Sequence, residues 1–219
     1  YWKGDRRVDF VDAPDREPGW RSPVPAWNAG FEKATGDAFY CFSSETVQAE
    51  GNIRRVIETM AIRDMAALLD GNPSKWNPQP IVLHGRAECS CGPTGQEVNW
   101  NGTAPGNLLG DAAHPRPLGF IWAAPASAVK QIGGYDPEFA KGLWHDDDDF
   151  FIRLWRSGLD FIFDDGISGT HLHHARPVLG TAEGQAGIAR NRAYMLRKHG
   201  TLQPWAQTMR IESRAPGCT

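Results

Sequence analysis

Apolar positions recur along this chain with two periods, and their alternation lays out the elements. Between Gly51 and Leu69, residues Ile53, Val56, Ile57, Met60, Met65, Leu68 and Leu69 fall at helical spacing. Gly71-Asn72-Pro73 cannot continue that pattern, so a long helix is expected over about Gly51–Leu69. Short runs rich in aromatic and β-branched residues read as strands: Val8–Val11, Ala38–Phe42, Pro80–Leu83, Gly119–Ala123, Asp160–Phe163 and a stretch near Ile167–Leu172. Further helices are expected from about Ala26 to a terminating Gly36, over Ala126–Gln131, from Asp146 to about Ser157, and from about Glu183 to Lys198. Strands alternating with helices predict one α/β domain over residues 1–219. Residues 71–117, rich in Gly, Pro and Asn, read as an irregular surface excursion of the kind that carries specificity.

Composition narrows the function classes. Apolar residues make up 41% and charged residues 22% of the chain, as in an ordinary globular protein. A net charge of −3 gives no basis for a sequence-independent hold on nucleic acid. No run approaches the roughly 18 apolar residues of a membrane span, and YWKGDRRVDF is not a signal peptide. Cys41, Cys89, Cys91 and Cys218 are too irregularly spaced for a disulfide framework. A cytoplasmic protein is the expectation.

Candidate chemistry gathers in three places. After the expected strand Ala38–Phe42 come Ser43, Ser44 and Glu45, at the carboxyl end of a strand, where open α/β sheets bind ligands. Next, a Gly133-Gly134-Tyr135-Asp136 turn and Trp144-His145 lead into Asp146-Asp147-Asp148-Asp149. Four adjacent carboxylates repel one another. A helix N-terminus offsets part of that cost, a nearby cation would offset more, and a carboxylate held there can take a proton from a hydroxyl. Arg153 and Arg156 stand where i,i+4 ion pairing is the default. The third place is His171-Leu172-His173-His174, imidazoles at a strand end and so candidate metal ligands. On an extended segment His171 and His173 share a face, whereas His171 and His174 meet only if the chain turns.

The motif order Asn28-Ala-Gly…Ala34-Thr-Gly-Asp37, a strand and an acidic residue, then Gly-Gly-Tyr-Asp, Asp-Asp-Asp-Asp-Phe-Phe-x-Arg-Leu and His-Leu-His-His resembles the inverting GT-A glycosyltransferases, the large bacterial family two above all. The closing half is similar to the β-1,4-galactosyltransferases. The match covers about residues 24–45 and 118–177. It implies a GT-A (Rossmann-like) mixed sheet flanked by helices and a divalent cofactor, Mn2+ or Mg2+. The donor would be a nucleotide sugar, with UDP favoured over GDP, and the acceptor a carbohydrate or other hydroxyl. By the same resemblance Glu45 stands for the last carboxylate of the D-x-D metal motif and Ser43 replaces the first. Ser43, Ser44, Asn28, Gly133 and Gly134 face the donor. Asp146 and Asp147 take the places of the acidic pair, Asp147 as base, and His171 and His174 complete the metal set. Trp144 would stack on the acceptor, with Trp122 a second contact.

Only Val8–Val11 precedes the Asn28 helix, so about two strands of the family's nucleotide half lack a counterpart here. They would lie in a longer chain, or another chain would complete the nucleotide site. Two rival readings stand beside the transferase: a carbohydrate-binding or structural domain that lost the chemistry, and a metal-dependent hydrolase using the same groups on water.

Overall fold

The computed structural model describes residues 11, 22–61, 81–89, 108–109, 119–172, 177–202 and 211–214. The expected strand at Val8–Val11, apart from Val11, and the second half of the long helix lie outside these residues, as do His173 and His174.

Among the described residues seven strands form one mixed sheet, and the helices pack on its two faces, so the α/β expectation holds. The strands are β1 (Ala38–Phe42), β2 (Thr46–Gln48), β3 (Ile81–Cys89), β4 (Leu108–Leu109), β5 (Ile121–Pro125), β6 (Asp160–His171) and β7 (Ile211–Arg214). Their order is β1-β5-β3-β6-β2, with β4 on β3 and β7 on β6. β3 pairs parallel with β6 and antiparallel with β5, which pairs antiparallel with β1. β1, β3 and β6 therefore point the same way.

Side-chain alternation along the strands divides two cores. Phe39, Val82, Trp122, Ala124 and Phe161 face one layer, with Phe150, Phe151, Leu154 and Met195 from the helices. Leu83, Ile121, Ala123 and Ile162 face the other, under Val56 and Met60. The helices of the first layer are α1 (Val24–Lys33), α3 (Ala126–Gln131), α4 (Asp146–Arg156) and α5 (Ala182–His199). α2 (Asn52–Ala61) covers the second. None of the described helices is long and apolar enough to cross a membrane.

Three expectations need correction. α1 stops at Lys33, not at Gly36, because Ala34 turns extended while its N–H still bonds the Gly30 carbonyl and Lys130 caps its own carbonyl. The strand expected at Pro80–Leu83 within the 71–117 stretch is there but longer, as β3, and runs through the middle of the sheet with His84 buried among Phe151, Phe161 and Phe163. Finally, the two strands expected after α4 are one. Asp164-Asp165-Gly166 looks like a turn in sequence, but it forms a bulge in β6, where the register with β3 jumps from Gly85↔Asp164 to Arg86↔Ser168. Asp164 holds the bulge, accepting from the Gly166 N–H at 2.9 Å and pairing with Arg55 of α2 at 2.9 Å.

Candidate active site

The carboxyl ends of β1 and β6 and the start of β5 meet at one edge of the sheet. Leaving β1, the chain turns tightly through Ser43–Glu45. The Ser43 N–H donates to the Phe120 carbonyl at 3.0 Å, and the Ser43 and Thr46 hydroxyls share a 2.7 Å hydrogen bond. β2 then returns antiparallel to β6, with Thr46 opposite His171. This return, which has no periodic signature in three residues, brings Glu45 Oε2 to 3.8 Å from His171 Nε2. His171 is buried, its ring packed edge-on against Phe120, while the Glu45 side chain is 42% exposed.

A carboxylate oxygen and an imidazole nitrogen that close can share one divalent ion. Among the described residues no group of three or more His, Cys, Asp or Glu side chains comes together to hold one. An ion here would rest on Glu45, His171 and oxygens of its ligand. His174, expected beside His171, lies outside the described residues.

The aspartate run opens α4, and the fold gives its members four different surroundings. Asp149 is fully buried among two cations, Arg153 with Nε at 2.7 Å and Lys198 with Nζ at 2.6 Å, and the His199 imidazole, with Nε2 at 2.8 Å. Burial holds the His199 imidazole below its usual value, against the pull of Asp149. Asp148 is buried beside His145, whose Nδ1 lies 2.8 Å from its carboxylate. Those two carboxylates tie α4 to α5 and to the preceding loop. The i,i+4 pairing expected of Arg153 is the one with Asp149.

Asp147, half-buried, is aimed by two donors. The Gly119 N–H reaches its Oδ2 at 3.0 Å and the Tyr135 hydroxyl its Oδ1 at 3.0 Å. A side chain at residue 119 would put a Cβ 2.6 Å from Asp147 Oδ1, so only glycine allows this approach. Tyr135 is itself fixed, buried and stacked 4.2 Å from Phe150. Its burial, then the Asp147 charge, pushes its phenol well above the usual value. Asp146 differs again: burial and the neighbouring Asp147 charge push its carboxyl up to about 7, although N–H groups at the helix start pull the other way.

The turn before the run is held from α1. The Asn28 amide donates to the Tyr135 carbonyl at 2.8 Å and accepts from the Tyr135 N–H at 2.8 Å. Gly133 and Gly134 both take positive φ, 76° and 69°, which suits glycine. Asn28 thus clamps the Gly133–Tyr135 turn, and its contacts here are with protein backbone. Trp144 is 47% exposed, as a stacking platform requires. Trp122 is a correction: it is fully buried, because the β5 alternation turns it into the layer of Phe150 and Phe151, and it cannot meet an acceptor.

The sequence marks neither the Gly119 N–H nor the Tyr135 hydroxyl as part of a site. A glycine before a strand and an aromatic after a Gly-Gly turn both have ordinary structural uses. No protein-family model matches the chain, and no curated protein matches it either.

Proposed function

We propose that this chain is the catalytic part of a metal-dependent, inverting glycosyltransferase of the GT-A type, moving a sugar from a nucleotide donor to an acceptor hydroxyl. The observation that carries the reading is a two-residue bridge. Gly119 fixes Asp147 through its N–H, and the adjacent Phe120 packs on His171 and accepts from Ser43. A fixed carboxylate and a carboxylate–imidazole pair therefore share one end of the sheet, as the resemblance of the sequence to these enzymes requires.

In this reading the Asp147 carboxylate takes the proton of the acceptor hydroxyl as that oxygen attacks the anomeric carbon. The anomeric C–O bond to the diphosphate breaks, and the diphosphate leaves with the electron pair. Asp146, protonated below about 7, stands beside the base as a neutral hydrogen-bonding group, so two adjacent carboxyls carry different roles. Trp144 faces the acceptor, and the Gly133–Gly134 turn faces the donor sugar. Mn2+ or Mg2+ on Glu45, His171 and, by the resemblance, His174 would neutralise charge on the departing diphosphate.

A thermal-shift experiment with UDP and GDP, each with and without manganese, tests this. A rise in Tm that needs nucleotide and manganese together is expected, larger for UDP. No rise under any condition would overturn the donor site. One observation favours a second reading, a carbohydrate-binding or structural domain: Ser43 occupies the place of a metal-binding aspartate and its hydroxyl is bonded to Thr46. Turnover of any sugar nucleotide would eliminate that alternative.

A further inference from the structure

Trp144 and His145 both sit at φ 65°, a left-handed conformation that side-chain-bearing residues adopt rarely and one after another more rarely still. Such backbone persists only where its surroundings over-determine it. The surroundings come from α5, outside the residues that carry the family resemblance. Asn191 is fully buried there and uses its whole amide on or beside this loop. Its Nδ2 donates to the Phe139 carbonyl at 3.0 Å and to the Trp144 carbonyl at 2.9 Å, and its Oδ1 accepts from Arg190 Nη1 at 2.8 Å. One turn earlier on α5, the Gly187 carbonyl accepts from the Leu143 N–H at 3.2 Å. The loop also lies close against the amide: a Cβ at residue 142 would meet Asn191 Oδ1 at 2.2 Å.

We infer that Asn191 is the positioning residue of the active-site rim. By holding the Trp144 carbonyl it turns the indole outward and sets the direction in which α4 starts. It touches neither substrate nor reacting atoms. Its effect passes through Trp144, so its role in catalysis rests on the reading of Trp144 as the acceptor platform, whereas its role in holding the turn does not.

The two can be tested apart in protein labelled with 5-fluorotryptophan, the Trp144 fluorine resonance being assigned by its loss in Trp144→Phe. Asn191→Asp keeps the shape of the amide but removes both donors and places oxygen against two carbonyls. The Trp144 resonance is expected to shift by more than its linewidth, and the Trp122 resonance to stay. If Asn191→Asp fails to fold, Gly142→Ala presses on the same amide, and on the Gly187 carbonyl beside it, from the loop side while leaving the sequence of α5 unchanged. Met195→Ala is the control, one turn further along α5 and buried in the main core. A Trp144 resonance that stays put in both loop variants, or moves as far in Met195→Ala, overturns the inference. Cellobiose titrated into the wild type separates the dependent step. A resonance that responds to the loop variants but not to sugar leaves Asn191 holding the turn and removes Trp144 as a platform. A resonance that responds to both supports the whole.

Discussion

The aspartate run and the Glu45–His171 corner lie at the same end of the sheet but are built in opposite ways. In the run each carboxylate has named partners, the N–H groups of the helix start in the case of Asp146, and two of the four are sealed in the interior. At the corner one partner, at the end of β6, is buried, and the other, in the tight turn before the three-residue β2, is exposed, 3.8 Å away. The contrast separates what folding completes from what a ligand must complete. A base has to be aimed before substrate arrives, because misplacement by an ångström is costly. On the proposed function, a metal corner can stay partly open when the donor brings oxygens of its own.

The sharpest way to break the comparison is Asp147→Asn. It keeps the shape that Gly119 and Tyr135 grip but removes the proposed base. Transfer should fall by 10²–10⁴, about 3–5.5 kcal/mol of barrier, with nucleotide and manganese binding retained. Near-normal transfer would remove Asp147 as the base.

Asp149→Ala, two residues along the same helix, should act on stability instead. It leaves Arg153, Lys198 and His199 facing a hole where their common anion was, and unfolding in urea should show a loss of about 3 kcal/mol. A loss under about 0.5 kcal/mol, the level of ordinary surface changes, would mean that the network contributes nothing. Glu45→Gln probes the open corner. Manganese affinity measured by calorimetry should drop ten- to a hundredfold, about 1.4–2.7 kcal/mol, while the unfolding midpoint without metal hardly moves. Unchanged affinity would dissolve the corner as a metal site.

Legibility from sequence follows the same divide. β1 and α3 have the expected bounds and α4 the expected start, because apolar period and end residues agree there. β2, β4 and β7, of two to four residues, are too short to show a period, and the β6 bulge imitates a turn. In the candidate site, strand-end position and the family resemblance point to Glu45 and His171, and residue type to the aspartates. Residue type could not apportion the aspartates, because their partners come from elsewhere: His199 lies 50 positions beyond Asp149. Asn191 is hidden for the same reason, a polar residue in a helix whose partners lie 47 and 52 positions away.

The smallest expected effect concerns Asp146, the member of the run that the fold disfavours when charged. Its folded pKa, about 7, is raised above the ordinary aspartate value. The proton it keeps on folding therefore favours the native state at low pH, and that contribution fades as pH climbs from the unfolded value through 7. Above 7 the native state must hold two adjacent charges, Asp146 beside Asp147. Asp146→Asn removes one of them. At pH 5, not far above the unfolded value, only part of the difference between the two proteins has developed, and it grows until the pH passes 7. At pH 8 the variant should be the more stable by about 1 kcal/mol, once solvent access has discounted the repulsion. Urea unfolding of both proteins at pH 5, 6.5 and 8 checks this. A stability difference that does not grow across the series would show that Asp146 ionises without cost, and the two carboxyls would then share one role. A difference that grows, with a pH dependence of transfer near 7 that vanishes in the variant, would place the proton on Asp146 and leave the base to Asp147.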